Sequence, residues 1–111
     1  MKISSEIKDN IVILKIDGEL DYENTEELGK KIDDCLNNEQ NQIVLNMKNV
    51  DYINSAGLRI LVQAWKKATN MSGNIKFSNL QIFVQRMFRI TNLSGVFNVY
   101  IDEMDAVKSF K

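Results

Sequence analysis

The chain changes from a strand pattern to a helix pattern across Val50-Asp51-Tyr52-Ile53-Asn54-Ser55-Ala56-Gly57-Leu58. The apolar run at residues 42–47 predicts a buried strand before this stretch, and apolar residues at helical spacing over 58–71 predict an amphipathic helix after it. Asn54 and Ser55 both suit the capping position of that helix, because a short side-chain oxygen can accept a hydrogen bond from a free backbone N–H. The stretch therefore predicts an open serine hydroxyl at a helix N-terminus.

The rest of the chain predicts a single α/β domain, residues 1–111, in which strands and helices alternate. Strands are expected at residues 2–8, 11–16, 42–47, 75–78 and 97–101. Asp9-Asn10 favours a tight hairpin between the first two strands, and the later strands are expected to run parallel. The prediction is a mixed, mostly parallel sheet of about five strands, with an N-terminal antiparallel hairpin and about four covering helices.

The helices are predicted from capping residues and apolar stripes. Asn24 or Thr25, Asn79 and Asp102 are the expected caps of the first, third and last helices, and Gly73 is expected to end the second. The stripes of the first, third and last helices comprise Leu28, Ile32, Cys35 and Leu36; Leu80, Phe83, Val84, Met87 and Ile90; and Met104, Ala106, Val107 and Phe110. The second helix is apolar over about 200°, against about 100° for an ordinary surface helix, so one edge should meet a neighbouring helix or a partner.

Composition excludes several classes of function. The 111 residues carry 14 basic and 15 acidic side chains, without the clustered cations that indicate nucleic-acid binding. Histidine is absent, which removes Ser-His-Asp triads and most zinc sites. The single cysteine, Cys35, lies in an apolar stripe and is predicted to be a buried hydrophobe. No apolar run approaches the about 20 residues of a membrane helix, and no signal-peptide core is present, so a cytoplasmic protein is expected.

Three enzymatic interpretations of the central stretch are disfavoured by the residues present. A nucleophile elbow needs glycine two residues before the serine, where this chain has Ile53, and it also needs histidine. A phosphate-binding loop needs a longer glycine-rich run ending in Lys and Ser or Thr. An aspartyl-phosphate site at Asp51 would need an acidic pair and a late lysine, but Asp17 is isolated and Asp102 stands in the place of that lysine. We expect no catalytic site, cofactor or metal.

A phosphate on Ser55 suits the central stretch better. The free N–H groups and the dipole at a helix N-terminus favour an anion, and phosphorylation adds a charge of about −1.5 to −2 at neutral pH. If a partner docks over this turn, the lost contact can cost about 2–5 kcal/mol, which is enough to switch binding. The alternative that the residues leave open is that Ser55 only caps the helix. The segment 19–21 and the turn 51–55 are expected at the same edge of the sheet, because both follow parallel strands.

Three groups of segments, which together span nearly the whole chain, point to one known family. They are Gly18-Glu19-Leu20-Asp21 with Thr25-Glu26-Glu27-Leu28; Val50 to Leu58; and Val84 to Phe97 with Tyr100 and Asp105-Ala106-Val107. They resemble the STAS-domain anti-sigma-factor antagonists, small bacterial partner-switching regulators. The resemblance implies a cytoplasmic protein whose unphosphorylated form binds an anti-sigma factor and frees the sigma factor. It further implies that the anti-sigma factor is a serine kinase and that a PP2C-type phosphatase resets the cycle. We expect the chain to be a monomer when free.

Site residues follow from the resemblance by position. It implies that Ser55 is the phosphorylation site with Asp21 beside it, and that the docking surface also contains Asn54, Gly57, Leu58 and Arg59. The family often has Asp immediately before the serine, where this chain has Asn54, so a kinase or phosphatase that reads a carboxylate could fail to recognise it. The alternative function is a STAS-domain subunit of a transporter ATPase or of another complex, which binds without a phosphorylation switch and is held permanently through the broad apolar helix.

Overall fold

The computed structural model describes all 111 residues. Its strands form a single five-stranded sheet. The strands lie side by side in chain order: β1 (Lys2–Lys8), β2 (Ile11–Asp17), β3 (Gln42–Asn49), β4 (Asn74–Ser78) and β5 (Asn98–Tyr100). The first two strands are antiparallel, and every later neighbouring pair is parallel. The helices are α1 (Thr25–Asn37), α2 (Ser55–Asn70), α3 (Ile82–Ile90) and α4 (Glu103–Lys108), and a 3-10 turn covers Leu93–Gly95. The predicted fold class is confirmed.

The hairpin between β1 and β2 forms at the predicted turn. Asp9 and Asn10 have φ angles of 52° and 67°, so both central residues are left-handed. Such turns match the twist of the flanking strands, and Asp and Asn tolerate this conformation better than most residues do. The turn sets the register in which Lys8 lies opposite Ile11.

The hydrophobic core is divided unequally between the two faces of the sheet. A cluster of 22 buried residues packs α1, α2 and α3 against one face. The other face has a cluster of five, Ile11, Ile13, Val44, Ala106 and Val107, beneath the short α4. Residues 11–14 of β2 are all buried because both faces of that strand are covered, as their continuous apolar run predicts.

The broad apolar arc of α2 packs against other elements of the same chain, including α1. All four residues of the predicted α1 stripe are buried, and α1 packs beside α2. A Cβ atom on Gly29 of α1 would lie only 2.9 Å from Cδ1 of Ile60, so the two helices approach closely there. Ile60 is therefore at the helix–helix contact, which confirms the intramolecular interpretation of that edge.

The ends of α1 and α2 lie where the sequence predicts, with Asn24 in the N-cap position of α1, but the capping contacts differ from those expected. The Asn24 side chain does not cap α1, since its Nδ2 donates to the carbonyl oxygen of Glu19. At the end of α2 the left-handed residue is Ser72, with φ 62°, rather than Gly73. Glycine is nevertheless needed at position 73, because the carbonyl oxygen of Asn41 occupies the space that a Cβ would take.

The predicted inward face of α3 was correct for Val84, Leu80 and Met87, which are buried or pack against the core, and wrong for Phe83 and Ile90. Asn79 has a φ of 59° and does not cap the helix, whose cap position is held by Gln81. The helix buries Val84 and Phe88, while Phe83 and Ile90 are 41% and 73% exposed. Phe88 turns inward because it packs edge-on against Phe77 and Phe97, with ring centroids 5.5 and 5.4 Å away.

The last helix keeps most of its predicted features. The carboxylate of Asp102 accepts the N–H of Asp105 at 2.8 Å, which confirms the predicted cap. Ala106 and Val107 are buried, but Met104 is 53% exposed and does not face the core.

Candidate functional site

Two loops meet at the carboxyl-terminal edge of the sheet. The N–H of Leu20 donates to the carbonyl of Tyr52 at 3.0 Å, and the N–H of Asn54 donates to the carbonyl of Leu20 at 3.2 Å. These bonds form an isolated parallel bridge between Leu20 and Ile53, both of which are completely buried. The predicted proximity of segment 19–21 to turn 51–55 is therefore confirmed.

Asn54 and Ser55, the two candidate caps of α2, have different roles in the structure. Asn54 has extended backbone angles, and its Oδ1 accepts the N–H of Gly57 at 3.1 Å. Its carbonyl accepts the N–H of Leu58 at 2.9 Å, the first bond of the helix. Ser55 is thus the first helical residue, exposed, and its hydroxyl makes no hydrogen bond within the chain. The interpretation of Ser55 as a helix cap is wrong, because Asn54 performs that role.

Gly57 holds the helix start against the other loop. A Cβ at this position would overlap the carbonyl oxygen of Leu20 and would lie 2.8 Å from Cγ1 of Ile53. Only glycine allows α2 to approach the Leu20–Ile53 bridge this closely. The same approach fixes the position of Ser55, two residues earlier, relative to the loop that carries Asp21.

The positive end of α2 favours an anion at the Ser55 hydroxyl, whereas the carboxylates of Asp51 and Asp21 lie on the adjoining segments. The first turn of α2, a 16-residue helix, contains no acidic side chain, so its positive end is not neutralised there. Arg59 is exposed one turn further along. Asp21 is half-buried, and its Oδ1 accepts the N–H groups of Glu23 and Asn24, both at 3.1 Å. That carboxylate therefore shapes the loop beside the Leu20–Ile53 bridge.

The remaining predicted docking residues lie at different depths. Leu58 is 7% exposed and packs in the main core, and Gly57 is buried. Ser55 and Arg59 are exposed, and Asn54 is half-buried. The accessible part of the predicted surface thus consists mainly of Ser55 and Arg59, with the deeper residues supporting the turn.

Sequence reasoning missed the aromatic side chains around this turn. Tyr22 is 83% exposed beside Asp21, while Tyr52 and Phe83 stack on each other and are 39% and 41% exposed. Phe83 was predicted to be buried. The available signal was Phe88, since a helix that buries Val84 and Phe88 directs Phe83 outwards.

The side chains offer few other sites for chemistry. No group of three or more His, Cys, Asp and Glu residues is arranged to hold a metal ion. Burial raises the pKa of the Cys35 thiol, with Lys31 opposing and Asp34 adding to the shift, so this thiol is a buried hydrophobe as predicted. None of the helices has the length and apolar character needed to cross a membrane.

Comparison with known proteins gives consistent matches over nearly the whole chain. The STAS domain family matches residues 2–106. The anti-sigma F factor antagonist of Paenibacillus polymyxa is 23% identical over 108 residues, which are 96% of this chain and 92% of that protein. The crystal structure of the Thermotoga maritima protein TM1081 superposes with a TM-score of 0.92 at 28% identity, over 96% of this chain and 92% of that one.

The same architecture occurs in a more distant protein. The anti-sigma factor antagonist SpoIIAA of Bacillus, in its unphosphorylated form, superposes with a TM-score of 0.83 at 18% identity, over 98% of this chain and 96% of that one. Its phosphorylated form superposes with a TM-score of 0.76 at 17% identity, over 99% of this chain and 100% of that one. At this identity the likeness shows a shared fold.

Proposed function

The chain belongs to the STAS domain family, and we propose that it is an anti-sigma factor antagonist switched by phosphorylation of Ser55. In this proposal the unphosphorylated form binds an anti-sigma factor in the cytoplasm and so frees a sigma factor. The anti-sigma factor is also a serine kinase that phosphorylates Ser55 and then dissociates, and a PP2C-type phosphatase restores the unphosphorylated form. The observation that carries the proposal is the exposed, unbonded hydroxyl of Ser55 at the start of α2.

The local hydrogen bonds support a phosphate that leaves the fold intact. Asn54 makes the capping bond to Gly57, so modifying Ser55 removes no hydrogen bond of the folded chain. Free N–H groups and the helix dipole stabilise an anion at this position. We therefore expect phosphorylation to change the surface and to leave the scaffold beneath it unchanged.

The size of the charge supports a switch in partner binding. Phosphorylation adds a charge of about −1.5 to −2 at neutral pH, which a docked protein must desolvate or repel. The loss of one close contact of this kind is worth about 2–5 kcal/mol, or about 30-fold to several thousand-fold in affinity. One phosphate is enough to reverse the outcome of a protein–protein competition.

The proposed docking surface comprises Asp21, Asn54, Ser55, Gly57, Leu58 and Arg59. Ser55 and Arg59 supply exposed side chains, and the half-buried Asp21 supplies the neighbouring loop. Asn54 presents an amide where a carboxylate would add a negative charge next to the phosphate. In this proposal the chain is a substrate and binding partner without enzymatic activity of its own, monomeric when free.

Phosphorylation in vitro tests the proposal directly. Each anti-sigma factor kinase encoded in the source genome is purified and incubated with the chain and ATP, and incorporation is read by intact mass spectrometry. The wild-type chain should gain one phosphate, and Ser55→Ala should gain none. Ser94→Ala, which changes an exposed serine on the 3-10 turn, is the matched control and should behave as the wild type. Continued single phosphorylation of Ser55→Ala would remove Ser55 from the scheme.

The alternative of a transporter ATPase subunit has lost the feature that suggested it. It required the broad apolar arc of α2 to be free for a permanent partner. The Ile60 edge of that arc packs against Gly29 of α1 within the same chain.

A further inference from the structure

We propose that the docking surface extends from Ser55 onto an aromatic platform formed by Tyr52, Ile82 and Phe83, and that this platform inserts into an apolar pocket of the anti-sigma factor. The inference rests on the proposed function, since it assigns the binding determinants of that same partner. It adds residues from α3, a helix outside the predicted docking surface. In this inference the platform provides binding affinity for the anti-sigma factor, and Ser55 is the residue whose phosphorylation ends the binding.

The platform is exposed and already ordered. The Tyr52 and Phe83 rings stack with centroids 5.4 Å apart and planes at 23°, and they are 39% and 41% exposed. Ile82, the neighbouring residue of α3, is 67% exposed. Rings that are fixed against each other before binding lose little conformational freedom when a partner covers them. The platform therefore has the properties of a preformed anchor.

The platform is held in place from below. Val84 and Phe88 fix α3 to the core, which leaves Phe83 directed outwards. The side chain of Gln81 donates to the carbonyl of Lys48 at 2.6 Å, which ties the start of α3 to the end of β3. These contacts explain why α3 faces the central turn, but they do not require large apolar side chains on its outer surface.

The platform is continuous with the site of modification. The carbonyl of Tyr52 accepts the N–H of Leu20 in the bridge between the two loops, and Ser55 follows three residues later in the same turn. Tyr52 and Ser55 are thus both exposed on the same short turn, where one docked protein can contact the two side chains. Single exposed apolar residues are ordinary on protein surfaces, but a stacked pair with an adjoining isoleucine forms a patch.

The chemistry of the patch indicates the kind of partner. Tyr52, Ile82 and Phe83 carry no charge, and the cores of protein–protein interfaces are depleted in charge and enriched in aromatic residues. Residues that dominate binding energy are typically aromatic side chains that fill pockets. We therefore assign to the anti-sigma factor an apolar pocket next to the atoms that contact Ser55.

Affinity measurements on single variants test the platform. Every anti-sigma factor kinase encoded in the source genome is purified at full length, and its Kd for the unphosphorylated chain is measured by titration calorimetry without ATP. Phe83→Ala should weaken binding by about tenfold or more, as expected for an interface anchor. Ile82→Lys, at a position that tolerates charge because it is 67% exposed, should weaken binding similarly. Ile90→Ala is the control, because Ile90 is 73% exposed at the opposite end of the same helix, and it should bind within about twofold of wild type.

The outcomes distinguish this inference from the proposed function. Circular dichroism first confirms that each variant is folded. If Ser55→Glu abolishes binding while Phe83→Ala and Ile82→Lys both stay within about twofold of wild type, the platform is refuted and the phosphorylation switch stands. If Ile90→Ala weakens binding as much as Phe83→Ala does, the effect is not specific to the platform and the inference is overturned. If none of the anti-sigma factors binds the wild-type chain, both proposals are overturned.

Discussion

Replacing Gly57 with alanine tests how closely α2 is held against the Leu20–Ile53 bridge. The added Cβ would overlap the carbonyl oxygen of Leu20 and lie 2.8 Å from Cγ1 of Ile53, so backbone must move. Overpacking costs about 1–3 kcal/mol, and an overlap with a backbone atom belongs in the upper part of that range, at about 2–3 kcal/mol. The better helix propensity of alanine returns up to about 1 kcal/mol. We expect a net loss of about 1–2 kcal/mol, which lowers the Tm of a domain of this size by about 4–10 °C.

Differential scanning calorimetry measures the loss, and Gly95→Ala is the matched control. Nothing lies within 4 Å of a Cβ built at Gly95, so this variant should melt within about 2 °C of wild type. Hydrogen exchange adds a local readout, because the amides of Leu20 and Asn54 donate the two bonds of the bridge and should exchange faster in Gly57→Ala. A Gly57→Ala protein that melts within about 2 °C of wild type would refute the close approach.

Three further predictions concern the same turn and the buried thiol. Asn54→Ala should lower the unfolding free energy in urea by about 1 kcal/mol, because the N–H of Gly57 loses its acceptor, whereas Asn54→Asp should keep the cap and stay near wild type. The unfolding free energy of Ser55→Glu should lie within about 0.5 kcal/mol of the wild-type value, because Ser55 is exposed at the helix N-terminus. A loss above about 2 kcal/mol would show that the Ser55 hydroxyl contributes to folding. Burial raises the pKa of the Cys35 thiol above its ordinary 9.0, so iodoacetamide at pH 8 should alkylate the folded chain far more slowly than the chain in urea; equal rates would show the thiol to be accessible.

The raised pKa of Cys35 also sets the direction of a pH effect. The folded state keeps the thiol neutral, while the unfolded state ionises it above the ordinary pKa of 9.0. The contribution of the neutral thiol to stability is therefore present in full below that pH and is lost as the pH rises through the folded-state pKa. Urea melts of wild type and Cys35→Ala should differ by a constant amount from pH 6 to 8 and should converge above pH 9.

Features that depend on local chemistry were predictable from the sequence. The hairpin follows from Asp9-Asn10, two residues that tolerate a left-handed backbone, and the burial of β2 follows from its unbroken apolar run. The meeting of the two site loops follows from the parallel order of their strands. In each case the deciding residues lie within a few positions of the feature, or the topology leaves no alternative.

Features decided by distant residues were not predictable. The sequence of α3 permits two apolar stripes, and the choice between Phe83 and Phe88 is made by Phe77 and Phe97, which lie on other segments. The need for glycine at position 73 comes from Asn41, more than thirty residues earlier. The choice between Asn54 and Ser55 as cap was open because both side chains carry a suitable oxygen, and only the backbone geometry decides it.

The bond from the Gly57 N–H to the Asn54 side chain has a consequence for control in the cell. Since the neighbouring hydroxyl makes no hydrogen bond in the folded chain, a phosphoryl group there would remove no folding contact, and the helix dipole would favour it by about 1 kcal/mol or less. By thermodynamic linkage, the folded scaffold would then give at most a small preference to the modified form. In the proposed switch, the modified fraction is therefore set mainly by the relative rates of the enzymes that add and remove the group.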